Sequence, residues 1–388
     1  MGGLTIGIFC DLSKAFDCVN HETLLLKLEH YRLGELARGL IESYLNDRLQ
    51  HVQINGVNSS GLKVKMGVPQ GSILGPFLFL VYINDLPHLL KDQPQMVLFA
   101  DDTSLIFKVN RKAQHLDDVN NAMREVHNWF TINNLVLNEK KTKCIRFALP
   151  NVKSCPCNVI LNKDILELVE KTVFLGITLD SKLQWGPHLT SLAGRLSSAA
   201  YAVRKIRQLT DVDTARLVYF SYFHSIMSYG ILLWGRAADI DSIFILQKRA
   251  VRAIYNLCRR ESLRELFKKI NIMTVPCQYI YENIMHVRKN LHLFKKVGDR
   301  HNFNTRNRDK LDQPSFRLSK VKTSFMGYCV KCYNKIPLDI LELNERKFKT
   351  CIKRTLCSQA YYKLEDYIND KNAWLNAGPA PQPLGFTN

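Results

Sequence analysis

Apolar residues in the first 185 positions alternate between runs with a period of two and stripes with a period near 3.6. Thr5-Ile6-Gly7-Ile8-Phe9-Cys10 predicts a strand ending at Asp11, after which Leu12 to Asp17 turns toward a helix. His21 to Asn46 carries two amphipathic helical patterns, the second through Leu36, Leu40, Ile41, Tyr44 and Leu45, and Gln53-Ile54-Asn55-Gly56-Val57 predicts a hairpin. The stretch Phe77 to Ile83, with Pro76 in its first turn and a close near Asn84-Asp85-Leu86-Pro87, predicts a buried helix. Val97 to Ala100 and Leu105 to Phe107 predict two buried strands joined at Asp101-Asp102. Leu116, Val119, Met123, Val126 and Phe130 mark another helix before a strand at Cys144 to Phe147.

From His188 onward the patterns are almost wholly helical: Leu192, Leu196, Ala199 and Val203, then Leu217 to Ile226, then Ile243 to Leu257. Asp299 to Pro314 predicts an exposed loop, and Pro379-Ala380-Pro381-Gln382-Pro383 a disordered tail. The expected class is α+β: an antiparallel sheet packed on helices over 1–185, a helical segment over 186–265, and a basic, mostly helical region over 266–388.

Charge separates the two halves. Residues 1–190 hold 20 Lys/Arg and 19 Asp/Glu, whereas 191–388 hold 34 and 16, almost the whole formal net charge of +19. Clusters at Arg204-Lys205-Ile206-Arg207, Lys248-Arg249 with Arg252, Arg259-Arg260, Lys268-Lys269, and Lys347-Phe348-Lys349 with Lys353-Arg354 make the second half the expected polyanion-binding half. At 388 residues and 46% hydrophobic content the chain can build two or three cores. Its longest apolar runs, Phe77 to Ile83 and Ile226 to Trp234, are short and interrupted, so no membrane span is expected. Leu4 to Cys10 lacks the basic leader and cleavage site of a signal peptide. The 11 scattered cysteines suit a reducing intracellular setting, and the close pairs Cys155-Pro156-Cys157 and Cys329-Val330-Lys331-Cys332 read as ordinary thiols rather than a zinc site.

Candidate chemistry gathers at three places. Asp101-Asp102 interrupts an apolar run, where two ionised acids repel each other and lose hydration unless a cation offsets the cost. Asp11 ends another strand, and carboxylates from two strands are a common way to hold Mg²⁺ for phosphoryl transfer. Between them, Met66-Gly67-Val68-Pro69-Gln70-Gly71-Ser72-Ile73-Leu74-Gly75-Pro76 spaces three glycines by four, giving a tight loop whose backbone can approach a ligand.

In this order, Asp11 with Phe16-Asp17, Gly67 to Ser72, and Phe99-Ala100-Asp101-Asp102 resemble motifs A, B and C of reverse transcriptases. The details are similar to the non-LTR, LINE-type retrotransposon group, the jockey-like elements in particular. Leu137-Asn138-Glu139-Lys140-Lys141-Thr142-Lys143 resembles motif D and Phe174-Leu175-Gly176-Ile177-Thr178-Leu179-Asp180 motif E. The resemblance implies a reverse-transcriptase palm over 1–185 and a helical thumb over 186–265. It implies an RNA-directed DNA polymerase acting on an RNA template, a DNA primer and deoxynucleoside triphosphates. Asp11 and Asp101 would ligate two Mg²⁺ ions, with Mn²⁺ as an alternative, assisted by the Leu12 carbonyl and with Asp102 close by. Phe16 would be the steric gate against a ribose 2′-hydroxyl, Gln70 and Gly71 would line the template and nucleotide pocket, and Phe174, Leu175 and Gly176 would grip the primer. Lys141 or its neighbour Lys140 would stand near the leaving pyrophosphate. Only ten residues precede Asp11, so the expected fingers region and endonuclease are not upstream, and the chain resembles the downstream piece of a longer element. The alternative is a catalytically inactive nucleic-acid-binding remnant. An intracellular location, the nucleus if priming occurs at a chromosomal target, would suit either.

Overall fold

The computed structural model describes residues 3–90, 94–110, 116–148, 158–162, 164–299 and 308–375. Cys155-Pro156-Cys157 and the proline-rich tail lie outside them. Two compact units divide the chain, Met1–Leu183 and Gln184–Asn388.

In the first unit, strands β1 (Gly3–Cys10), β2 (Gln95–Phe99), β3 (Asp102–Asn110), β4 (Lys143–Phe147) and β5 (Leu168–Val169) form one sheet in the order β5-β4-β1-β3-β2. Every pairing is antiparallel except β4 with β5. Alternation along β1 puts Ile6, Ile8 and Cys10 on one face, all buried. They join a single core with helices α1 (His21–His30), α3 (Leu74–Ile83) and α4 (Asp117–Ile132) through Leu24, Leu78, Phe79, Met123 and Phe130. The Asn20 side chain caps α1 by accepting from the Thr23 N–H at 2.9 Å.

Three expectations change. The strand β2 is not buried: it is the sheet edge, and Val97 and Phe99 are 38% and 61% exposed. Helix α3 is apolar all round yet buries only the Gly75, Leu78, Phe79, Tyr82 and Ile83 side, leaving Phe77 and Leu80 half exposed. Helix α2 (Glu35–Leu45) buries Leu45 alone, while Leu36 and Leu40 are 94% and 71% exposed. The predicted hairpin forms as Gln53–Ile54 against Val57–Asn58, its turn residues Asn55 and Gly56 both at positive φ (51° and 82°) as a two-residue turn demands.

One buried tyrosine ties the helical layer together. The Tyr82 hydroxyl donates to the Asn133 carbonyl at 2.7 Å and accepts from the Asn20 N–H at 3.4 Å, joining the end of α4 to the start of α1. Lys27 lies over the Tyr82 and Trp129 rings and donates to the Tyr82 carbonyl and to Asp85.

The second unit is helical: α5 (Gly186–Leu209), α6 (Val212–Val218), α7 (Ile240–Tyr255), α8 (Val275–Lys289), α9 (Phe325–Tyr333) and α10 (Glu345–Gln359) are its main elements. The pattern expected to be one helix over Leu217 to Ile226 widens into a π-helical segment, Tyr219–His224, in which Tyr219 stacks on Phe223 with centroids 5.3 Å apart. Contacts cross the expected division at 265/266. Buried Gln247 of α7 donates to Tyr219 Oη and to the Met273 carbonyl and accepts from the Val275 N–H, so residues on both sides of that point share one core. No helix of the described residues is long and apolar enough to cross a membrane.

Tyr82→Phe leaves the buried Asn133 carbonyl without its donor, a loss of about 1–2 kcal/mol. The urea midpoint of the first unit should fall accordingly with the slope unchanged.

Candidate active site

The sheet register sets the geometry. Cys10 pairs with Thr103 on the core face, so Asp11 and Asp102, one step further along β1 and β3, are brought opposite each other at the same sheet end and off that face. Asp102 closes the β2–β3 hairpin opposite Phe99, and the two-residue turn is Ala100-Asp101 with Ala100 held at φ 51°, a costly conformation for a residue with a Cβ. The Asp102 carboxyl is pushed above its ordinary range, first by partial burial and then by the charges of Asp101 and Asp11. The acids are therefore near enough to repel, but they are not sealed in the core as their apolar surroundings suggest: the Asp11 side chain is 41% exposed. Among the described residues, no three or more His, Cys, Asp or Glu side chains are grouped closely enough to hold a metal ion as they stand. Three carboxylates at one sheet end are nonetheless a hard-oxygen donor set, the type that suits Mg²⁺ or Mn²⁺.

The loop from Asn138 to Lys143 wraps the first of these acids. Asn138 N–H donates to the Asp11 carbonyl at 2.8 Å, and the buried Thr142 hydroxyl donates to the Asn138 carbonyl and lies 3.4 Å from the Asp11 N–H. Leu12 pairs with Leu137 in the ladder position whose carbonyl points away from the partner strand. The loop delivers Lys141 Nζ to 3.7 Å from Asp11 Oδ2, whereas Lys140 is turned to solvent and its carbonyl accepts from Lys143 Nζ. Of the two candidate lysines, Lys141 is the one brought to the acids.

The glycine-rich loop is clamped onto the turn after Asp11. Val68 N–H donates to the Phe16 carbonyl at 2.8 Å, Gly67 N–H to the Val19 carbonyl at 2.7 Å, and buried His21 Nε2 meets the Gly67 carbonyl at 2.8 Å. Gly67 sits at φ 87°, and a Cβ there would stand 2.9 Å from the Asp17 backbone, so only glycine fits. Gln70 Nε2 donates to Asp17 Oδ1 at 2.9 Å. Gln70 and Gly71 are exposed, and the loop borders an open cleft of 850 Å³ whose far side carries Arg48, His51, Lys63 and Lys65. Phe16 is half-buried, its ring 4.6 Å from that of Phe79.

Strands β6 (Lys171–Phe174) and β7 (Ile177–Asp180) form the last element, a hairpin turning at Leu175-Gly176 with both φ values positive, 46° and 75°. Phe174 packs against Phe9 of β1 at 5.3 Å, which fixes the hairpin near the strand that carries Asp11.

Asp17, His21, Asn138 and Thr142 were not singled out from sequence as site residues, yet they hold the loops in place. The local signals were the adjacency of Asp17 to Phe16, the position of Asn20-His21 at a helix start, and the place of Asn138 and Thr142 on either side of the lysine pair.

In the second unit, part of the basic excess is internal. Arg207 donates to the carbonyls of Ile254 and Thr210, Arg252 to that of Glu261, Arg288 to those of Leu341 and Leu343, and Lys335 to those of Tyr367, Ile368 and Asp370. These cations end helices and turns rather than face a ligand. Cys329 and Cys332 are core thiols that burial pushes up to about 11 and about 12, so both stay protonated.

Residues 1–179 match the reverse transcriptase (RNA-dependent DNA polymerase) family. The chain is 30% identical over 282 residues to the probable RNA-directed DNA polymerase from transposon BS of Drosophila melanogaster, covering 70% of this chain and 31% of that protein. It is 28% identical over 260 residues to the RNA-directed DNA polymerase from mobile element jockey of the same species, covering 64% and 28%. The chain thus spans about a third of the length of these relatives. A solved telomerase from Candida tropicalis aligns at 13% identity and a TM-score of 0.39 over 92% of this chain and 50% of that one, a likeness too loose to carry weight.

Gly67→Ala adds a Cβ against the Asp17 backbone in a left-handed conformation, a loss of about 2–4 kcal/mol by the combined strain and clash. Unfolding by urea should show it, and Gly71→Ala, where a Cβ meets nothing within 4 Å, should cost less.

Proposed function

We propose, from the match of residues 1–179 to the reverse transcriptase family, that this chain is the palm and downstream portion of a non-LTR retrotransposon polymerase, adding deoxynucleotides to a DNA primer on an RNA template. The observation that supports this best is the convergence of Asp11, Asp101-Asp102 and Lys141 on one end of a sheet whose open face also carries the Phe174 hairpin.

In the proposed reaction the primer 3′-oxygen forms a bond to the α-phosphorus, the bond to pyrophosphate breaks, and the 3′-hydroxyl proton leaves to solvent. Two Mg²⁺ ions, held by Asp11, Asp101 and the Leu12 carbonyl with Asp102 beside them, would lower the pKa of the 3′-hydroxyl and neutralise the leaving phosphates. Lys141, with Nζ 3.7 Å from Asp11 Oδ2, would release that acid when the phosphates arrive and give a proton to the departing pyrophosphate. Phe16, braced by Phe79, would stand under the deoxyribose and exclude a 2′-hydroxyl by bulk. Gln70, fixed by Asp17, and Gly71 would meet the template and the incoming nucleotide, with Arg48 and Lys65 of the same cleft open to template phosphates and Lys63 paired with Asp47. Phe174, Leu175 and Gly176 would hold the primer strand. Such chemistry needs RNA, a DNA end and deoxynucleotides together, which points to an intracellular setting, the nucleus where the primer is a chromosomal target.

Asp101→Asn should reduce Mg²⁺-dependent primer extension by on the order of 10³-fold or more while leaving the circular dichroism spectrum unchanged. Apart from activity, millimolar Mg²⁺ should raise the melting temperature of the wild type and not that of an Asp11→Asn, Asp101→Asn double variant. Retained extension by Asp101→Asn would remove it from the reaction. An unchanged melting temperature in both proteins would remove the metal site.

Phe16→Val should admit ribonucleotides while deoxynucleotide use falls only modestly. Competitive incorporation decides it: discrimination as strong as in the wild type would reduce Phe16 to a packing aromatic.

A further inference from the structure

Helices α5 and α7 each turn a stripe of side chains toward a shared cleft of 940 Å³. Tyr201, Arg204 and Gln208 follow at helical spacing on α5, Ile245 and Arg249 on α7, and Arg259 comes from the turn beyond α7. Three basic clusters, the first well separated in sequence from the other two, thus reach one place. No carboxylate lines the cleft. Arg204, Arg249 and Arg259 are exposed, and among the described residues they make no hydrogen bond, ion pair or ring contact. That separates them from Arg207 and Arg252, whose guanidinium groups hold backbone carbonyls. Between the arginines lie two exposed apolar surfaces, Tyr201 at 60% and Ile245 at 53%.

Unpaired like charges facing one cleft repel one another, and an anion among them relieves that cost. Guanidinium forks match phosphate oxygens in pairs, and an exposed tyrosine ring offers a face for a flat partner. A cleft of this volume is the size that takes a small ligand, roughly 300–1,000 Å³. Stacking on Tyr201 needs an unpaired base, which a double helix keeps inside its own stack. We propose that this cleft binds a short run of single-stranded nucleic acid, with phosphates on Arg204, Arg249 and Arg259 and a base stacked on Tyr201. The inference stands on the second unit alone and does not use the polymerase reading. Binding is read without nucleotide addition, so either can fail while the other stands.

The test is fluorescence anisotropy of the full chain with single-stranded RNA, single-stranded DNA and a duplex of equal length. Three variants enter it: Arg204→Ala with Arg249→Ala and Arg259→Ala; a control of equal charge change at exposed Lys295, Lys310 and Lys371; and Tyr201→Leu, which keeps every charge. The cleft triple should lose at least about tenfold in single-strand affinity and lower the salt slope of log K by about 2, near 0.7 for each lost phosphate contact. The control should lose less than about threefold by diffuse charge alone. Tyr201→Leu should lose about tenfold through stacking, with its salt slope unchanged, and serves alone should the triple variant lose helicity. Preference for RNA or for DNA among the single strands names the source of the ligand and leaves the cleft assigned. Equal losses in the cleft and control triples, a duplex that competes as well as the single strands, or full affinity in Tyr201→Leu would each overturn the proposal.

Discussion

A strand with a hydrogen-bonded neighbour on each side has no freedom of register, and the first unit rests on that fact. β1 is paired to β3 and to β4 along most of its length, and its core-facing residues Ile6, Ile8 and Cys10 are buried. A slip of one residue would turn all three out of the core, so the pairing is strongly specified. Everything chemical at the sheet end inherits that precision. Asp11 follows β1, Asp102 starts β3, and Lys141 lies two residues before β4, so the core that fixes the strands also fixes which polar groups meet.

That dependence explains what could be read from sequence and what could not. Asp101-Asp102 and Asp11 stand out because charge in an apolar run needs a reason, and the loop at Gly67 because its glycine spacing has few uses. Which strands lie beside β1 is a different matter: Thr103 and Lys143 become neighbours of Cys10 and Phe9 through contacts about a hundred residues or more apart, which local pattern does not encode. The clamps His21 to Gly67 and Gln70 to Asp17 are invisible for the same reason. Periodicity finds an apolar stripe but not its partner, so the Leu36 and Leu40 face of α2 and the Phe77 and Leu80 face of α3 read as buried and stand in solvent. The π-helical turn at Tyr219 shifts the phase of a stripe that looks regular.

Composition misled in a subtler way. A large surplus of Lys and Arg reads as one electrostatic surface, yet the second unit spends several of its cations on its own carbonyls. Arg288 and Lys335 close helix ends and loops, work that charge counting assigns to a ligand. Only after these are set aside do the arginines of the α5–α7 cleft stand out, because they are exposed and lack an internal partner.

The central position of β1 has a consequence during synthesis. Ile6 pairs with Phe107 and Arg146, so the strand at the middle of the sheet leaves the ribosome well before either neighbour exists. At about 5–20 residues per second, the interval is roughly 5–30 s. Throughout it, the edges of β1 that β3 and β4 later cover stand without those partners, open to pairing with another nascent copy. The feature that gives the finished site its precision makes the unfinished chain dependent on being kept apart until Phe147 has emerged.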